Sequence, residues 1–259
     1  MEQNNNISIG DIMLLLIKEN SHQMSIEAAK QVASQIKLKP DSVIGFATGS
    51  TPLGLYKELI RMHKEEGLDF SKVISFNLDE YVGLPPSHPE SYHYFMWENL
   101  FKHININPSK VHIPMGMADN VEAFCDWYEE KINSYGGIDI QILGIGANGH
   151  IAFNEPGSSL GSRTRIKTLG KKTRLDNSRF FNNINEVPKY AITMGVGTIM
   201  EAKKLLLIAN GINKADAIKA TVEGPIMAKY PATIVQLHRY ATVIIDKDAA
   251  SKLEGEYID

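Results

Sequence analysis

The chain has 259 residues, 43% of them hydrophobic and 22% charged, the profile of an ordinary soluble globular protein. A chain this long buries roughly 70–75% of its unfolded surface, so it can build a sizeable core. Its formal net charge of −3 provides no basic field to attract nucleic acid or an anionic membrane.

Residues 1–11 read as a disordered extension, polar and Asn-rich from Met1 to Asn6. They lack the charged start, long apolar run and small-residue cleavage site of a signal peptide. The apolar run Ile12–Ile17 is too short to span a bilayer, which takes about 20 residues. Residues 12–259 read as one α/β domain. Met13–Ile17 is a strand. Ser25 reads as an N-cap, followed by the helical stripe Ile26, Ala29, Val32, Ala33 and Ile36. Ser42–Ala47 is the next strand, and a helix runs from about Gly54 to Glu66, ending at Gly67. Val73–Leu78 is a strand, Ser91–Phe101 a helix, Val111–Ile113 a short strand, and Val121–Tyr135 a helix stopped by Gly136 and Gly137. Ile138–Ile145 is a strongly apolar strand. Ala191–Met194, Lys204–Ala209 and Thr242–Ile245 are further strands, with helices from about Gly197 and from Lys214.

Several of these strands are apolar on both faces. That predicts a doubly wound, mostly parallel sheet with helices on both sides. The stretch Asn154–Asn185 is rich in Gly, Ser, Asn and Arg with little periodicity, and is expected to be a mobile lid or binding loop. The single cysteine, Cys125, allows no intrachain disulfide and fits a reducing, cytoplasmic setting. It reads as a packing residue.

Open α/β sheets bind ligands beyond the carboxyl ends of their strands, so the residues after each strand hold the chemistry. Thr48, Gly49, Ser50 and Thr51 follow the second strand. Small residues, hydroxyls and a helix N-terminus there suit a phosphate cradle, or simply a capped turn. Asn77-Leu78-Asp79-Glu80-Tyr81 follows the third. Successive side chains diverge at a strand end, so one of the two acids is expected to face the cleft and to suit proton transfer at carbon. The plain alternative is a cap or a surface ion pair.

Gly144-Ile145-Gly146-Ala147-Asn148-Gly149 matches the G-x-G-x-x-G dinucleotide pattern. That pattern requires a helix directly after the glycines and an acid about 20 residues on. His150-Ile151-Ala152-Phe153-Asn154-Glu155-Pro156 cannot run as a long helix, and Arg165, Lys167 and Lys171 occupy the region where the acid belongs. NAD is therefore rejected. The glycines read as a turn that presents Asn148 and His150, with Glu155 as a partner that orients the imidazole. No histidine, His88 and His93 included, has a partner at metal-ligand spacing, so no metal and no cofactor are expected. Arg163, Arg165, Lys167, Lys171, Lys172, Arg174 and Arg179 make the loop basic within an acidic chain, which suggests anion recognition.

These stretches together closely resemble the glucosamine-6-phosphate deaminase family. The matching segments are Ala47–Pro52, Phe76–Leu84, His88–Tyr92, Gly149–Pro156, Ser162–Arg165, Asn177–Phe181 and Val187–Ala191, in family order. The resemblance implies a cofactor-free conversion of glucosamine 6-phosphate and water to fructose 6-phosphate and ammonia, in amino-sugar catabolism. It implies Asp79 as the base moving the proton between C2 and C1, His150 as the ring opener, and Glu155 as the histidine's partner. Phosphate would be held by the Thr48–Thr51 loop, Arg179 and Lys214. Many members have Asp where this chain has Asn148. An amide orients a histidine but does not stabilise imidazolium by charge.

Ser158, Ser159, Arg165 and Lys167 match the pattern of an allosteric site for N-acetylglucosamine 6-phosphate. The chain stops soon after Lys252, and its N-terminal extension displaces the free amino group, so weak or absent activation is expected. Alternatives carried forward are galactosamine-6-phosphate isomerase, 6-phosphogluconolactonase and a non-enzymatic sugar-phosphate sensor. The family includes monomers and hexamers, so a homo-oligomer is left open.

Overall fold

The computed structural model describes residues 13–170, 173–175, 178, 181 and 183–257. The 1–11 extension lies outside them. Seven strands form one wholly parallel sheet: β1 (Met13–Lys18), β2 (Val43–Phe46), β3 (Ile74–Asn77), β5 (Val111–His112), β6 (Ile140–Leu143), β9 (Leu205–Ala209) and β10 (Ala241–Asp246). Their spatial order is β1-β10-β9-β6-β2-β3-β5. Every residue of β2, β3, β6 and β9 is buried, as expected where cover lies on both faces of a parallel sheet. The helices around it are α1 (Ser21–Leu38), α2 (Leu53–Glu66), α3 (Tyr92–Asn99), α4 (Val121–Ser134), α5 (Val196–Met200), α6 (Ala215–Glu223) and α7 (Lys247–Ala250).

The chain moves outward from β2 to β3 and β5, then crosses back to β6 and on to β9 and β10. The order therefore reverses between β2 and β6, and a crevice opens at their carboxyl ends.

Three features differ from the sequence expectation. Helix α1 begins at Ser21, not after Ser25, because Asn20 caps it by accepting the Gln23 N–H at 3.0 Å. Ser25 instead turns its hydroxyl back onto the Ser21 carbonyl, against Gly54 of α2. A Cβ on Gly54 would sit 2.2 Å from the Ser25 Oγ, so this pair sets how closely α1 and α2 approach. Second, β8 (Tyr190–Thr193) does not join the parallel sheet. It is the middle of a small antiparallel sheet, β4-β8-β7, with β4 at Asp79–Tyr81 and β7 at Arg165–Thr168. Third, the stretch expected to be all loop thus contains β7. No described helix is long and apolar enough to cross a membrane.

Candidate active site

The strands β9, β6, β2 and β3 are neighbours in that order, and all point the same way. Their carboxyl ends therefore bring four segments side by side: the turn holding Lys214, the turn holding His150, the Thr48–Thr51 loop, and the entry to Asp79. Residues from positions 48 to 214 meet there although no two of these segments adjoin in sequence.

The segment after β6 makes no helix across residues 144–160, so the dinucleotide geometry is absent. A tight turn forms instead. The Gly149 N–H donates to the Gly146 carbonyl at 2.9 Å, and the Gly146 N–H to the His150 carbonyl at 2.9 Å. Gly149 sits at φ 80°, in the left-handed region that suits glycine. Gly146 is required for a different reason: a Cβ there would lie 2.1 Å from the His150 ring. The imidazole rests on bare backbone.

Asn148 fixes the state of that ring. Its Oδ1 accepts from the His150 backbone N–H at 3.2 Å and lies 2.6 Å from His150 Nδ1. Its amide nitrogen donates to Glu155 Oε2 at 3.0 Å. A backbone N–H only donates and a carboxylate only accepts, so the amide has one orientation. Nδ1 must then donate its proton to Asn148, which leaves Nε2 of the neutral ring as the basic nitrogen. Glu155 Oε2 is 3.9 Å from Nδ1, beyond hydrogen-bond reach, and so acts on the ring through the amide. The Thr173 hydroxyl donates to the other Glu155 oxygen.

The two acids of the third segment separate as the strand geometry requires. Glu80, 2% exposed, accepts three backbone N–H bonds, from Tyr81 at 2.8 Å, Tyr92 at 2.9 Å and His93 at 2.9 Å. Its role is held by backbone. Asp79, 6% exposed, lies near Tyr92 of α3 and Tyr128 of α4. Burial pushes its carboxyl up to about 8, and the neighbouring Glu80 adds to that rise. Burial pushes Glu80 up to about 7, opposed by its three N–H donors. Two adjacent carboxyls in one buried pocket do not both ionise freely.

On the phosphate-loop side, Gly49 has φ 104° and Thr48, Gly49, Ser50 and Thr51 are half-buried or exposed. Pro52 precedes helix α2 and offers it no side-chain cap, so the helix start at the crevice mouth holds only the Leu53 N–H bond to the Ser50 carbonyl at 3.4 Å. Lys214 closes a 3-10 turn after β9. Arg179 lies outside the described residues. Arg165, on β7, donates to Asn154 Oδ1 at 2.9 Å and to the Arg163 carbonyl at 3.1 Å. Lys167 is two residues along the same strand. Ser158 is buried and Ser159 exposed, in the turn between Glu155 and β7.

The sequence reading gave no role to two site neighbours. Thr173 stands inside the stretch read as a lid or binding loop, and only its contact with Glu155 distinguishes it. Tyr92, directly after the Ser91 cap and within the matching segment His88–Tyr92, lies beside Thr48 and Tyr81. Among the described residues no three His, Cys, Asp or Glu side chains converge as a metal set would.

The model of the family described as glucosamine-6-phosphate isomerases/6-phosphogluconolactonase matches residues 18–244. A protein of Thermoanaerobacter sp. (strain X514) named glucosamine-6-phosphate deaminase is 56% identical over 244 residues, covering 94% of this chain and 96% of its own length. One of the same name from Halothermothrix orenii is 56% identical over 241 residues, covering 93% and 100%. Among solved structures, a monomeric glucosamine-6-phosphate deaminase superposes with a TM-score of 0.91 at 47% identity, over 92% of this chain and 99% of that one. A 6-phosphogluconolactonase from Trypanosoma cruzi shares the fold alone, at 21% identity and a TM-score of 0.73, over 95% of this chain and 99% of that one. With its sheet order, its His150 turn and a family match spanning most of its length, the chain belongs to the glucosamine-6-phosphate isomerase/6-phosphogluconolactonase family.

Proposed function

We propose that the chain converts glucosamine 6-phosphate and water to fructose 6-phosphate and ammonia. The observation that carries this reading is the meeting, at one sheet edge, of a buried carboxyl with a raised pKa and a histidine whose basic nitrogen is defined. The 47–56% identity to proteins named glucosamine-6-phosphate deaminase supports it.

The steps follow from what each group can do. The phosphate is held by the Thr48–Thr51 loop, the open start of α2, and the cations Lys214 and Arg179. Nε2 of His150 takes the C1 hydroxyl proton and returns one to the ring oxygen, so the ring opens to the aldehyde. The imidazolium formed in passing keeps its Nδ1 proton on Asn148, with the Glu155 charge one hydrogen bond further away. Asp79, ionised, removes the C2 proton to give an enolamine and returns it to C1. The resulting C2 imine adds water and expels ammonia. Within the Asn154–Asn185 stretch proposed as a lid, Thr173 bonds to Glu155 and the Phe181 ring meets that of Tyr81.

A lactonase hydrolyses an ester and needs no base for a carbon acid, which leaves Asp79 without work. Galactosamine 6-phosphate differs only at C4. Arg165 is already engaged by Asn154, which accords with weak or absent activation by N-acetylglucosamine 6-phosphate.

The test is ammonia release from glucosamine 6-phosphate by the wild type, Asp79→Asn and His150→Gln. Wild type turns over, both variants fall at least about 100-fold, and Asp79→Asn loses solvent exchange at C2. Wild-type protein that releases no ammonia would refute the reading. The rival epimer is tested in parallel with galactosamine 6-phosphate.

A further inference from the structure

The Glu80 carboxylate receives two of its three N–H bonds from Tyr92 and His93, the first two residues of α3. It thereby serves as the anionic anchor of that helix start, alongside the Ser91 hydroxyl that accepts the Tyr94 N–H at 3.0 Å. Anchoring α3 there places the Tyr92 side chain. Tyr92 is half-buried, and its phenol lies beside the side chains of Tyr81 of β4 and Thr48 of the phosphate loop. Its ring lies parallel to Phe153, with centroids 6.0 Å apart and planes 10° apart, and 4.9 Å from the Tyr81 ring. Tyr92 therefore touches three catalytic segments: the β4 strand, the phosphate loop and the His150–Glu155 turn.

We propose that Glu80 is a positioning residue which, through the start of α3, holds Tyr92 as a strut between the phosphate loop and the proton-transfer strand. The inference rests on the assignment of Asp79 and Thr48 to the sugar-phosphate reaction. The strut explains why Glu80 is buried yet satisfied entirely by backbone N–H groups: it sets a distance and does not meet substrate. It also puts a negative charge beside Asp79. The other groups facing Asp79 are the phenols of Tyr92 on α3 and Tyr128 on α4, with Thr193 of β8 opposite it in the strand pairing. Glu80 is thus the carboxylate among those neighbours.

Two variants separate the parts of the proposal. Tyr92→Phe keeps the ring stack and removes the hydroxyl. It raises KM about 3- to 10-fold, with kcat and the pH profile little changed. Glu80→Gln removes the charge and offers an N–H where the helix start already offers donors. It raises KM similarly and moves the acid limb of kcat/KM down by about one pH unit, because Asp79 then ionises without a charged neighbour. Glu80→Asp keeps the charge and restores the limb. A merely structural Glu80 would lower the melting temperature and leave the limb in place.

Binding of fructose 6-phosphate in ammonium-free buffer, followed by calorimetry, gives a readout that does not depend on turnover. Wild type that does not bind it counts against the sugar-phosphate reading. Wild type that binds, with Tyr92→Phe binding equally well, overturns the strut. If Glu80→Gln fails to fold, Tyr92→Phe still decides the point. An unmoved acid limb in folded Glu80→Gln overturns the electrostatic part.

Discussion

Asn148 is the residue that defines the state of His150, the proposed ring-opening group. Its amide holds Nδ1 as the donor, so the tautomer follows from hydrogen-bond chemistry and not from an added charge. Asn148→Leu releases both the imidazole and Glu155, and kcat is expected to fall about 10- to 100-fold. Asn148→Asp keeps an oxygen for the Nδ1 proton and retains activity. It also sets a second carboxylate against Glu155, so its pH profile broadens as the pair shares a proton. Steady-state rates across pH 5–9 separate the two outcomes. With Asp79 as the proposed base, its ionisation is expected to set the acid limb of the wild-type profile. As a base it must be ionised, and burial followed by Glu80 raises it to about 8. The limb of kcat/KM is therefore expected far above the usual carboxylate range, near neutrality or higher, and is lost in Asp79→Asn.

At the scale of elements, the turn after β6 shows how backbone serves chemistry. Gly146→Ala would drive a methyl into the His150 ring at 2.1 Å. Because the obstacle is the His150 ring, the proposed ring opener, and not the core, activity should fall at least about 100-fold while stability drops by only about 1–2 kcal/mol. Circular dichroism melts beside turnover measurements check the split. Much of this level was legible beforehand. β2, β6, β9 and β10 announce themselves as apolar runs; the positions after β2 and β6 led to the Thr48–Thr51 loop and His150, and those after the less apolar β3 led to Asp79. β4 was not legible: three residues, two of them acids, carry no alternation and look like a strand end. β7, Arg-Ile-Lys-Thr, looks like basic loop. Both owe their extended form to β8, whose Thr193 lies 114 positions from Asp79 by the numbering 193 − 79. A pairing that distant leaves no local trace. The Ser25 cap failed for the opposite reason, since Asn20 offered an equally good cap one turn earlier.

Across the whole molecule, the two edges of the parallel sheet are built with opposite electrostatics. At the amino edge Asp139, 5% exposed at its side chain, joins Lys39 at 2.7 Å, Lys203 at 2.8 Å and the Val43 N–H at 2.8 Å. Burial, the largest influence, is outweighed by these partners, and its pKa lies below the ordinary value. It stabilises the fold above the unfolded pKa, and that contribution is lost as pH falls through the folded one. At the carboxyl edge the sign reverses. Asp79 is raised from 3.8 to about 8, so between those values the folded state holds a proton that the unfolded chain has released, and stability falls as pH rises through that window. The same substitution should therefore have opposite effects. Asp139→Asn is expected to destabilise by about 1–3 kcal/mol, a figure reduced for the half-exposed lysines. Asp79→Asn is expected to abolish turnover yet raise the melting temperature at pH 8 by several degrees, about 2 kcal/mol, with the gain vanishing near pH 4. Thermal melts across that range test both signs.

The small antiparallel sheet has a further consequence. Thr193 is the pairing partner of Asp79 on one side and of Arg165 on the other, and its hydroxyl accepts the Phe153 N–H at 3.1 Å. One residue of β8 thus meets Asp79, the arginine that holds Asn154, and the turn that carries Glu155. A strand that slips by a single position exchanges its two faces. An extra residue inserted within Ala191–Thr193 would turn Thr193 to the opposite face, break its bond to the Phe153 N–H and displace the strand that pairs with Asp79, whereas one inserted among the exposed residues 183–186 has only surface to distort. The seating of the strand that carries Asp79, of Arg165 and of the Phe153 turn thus depends on the count of residues along β8, and a frame-preserving insertion there would disturb all three at once.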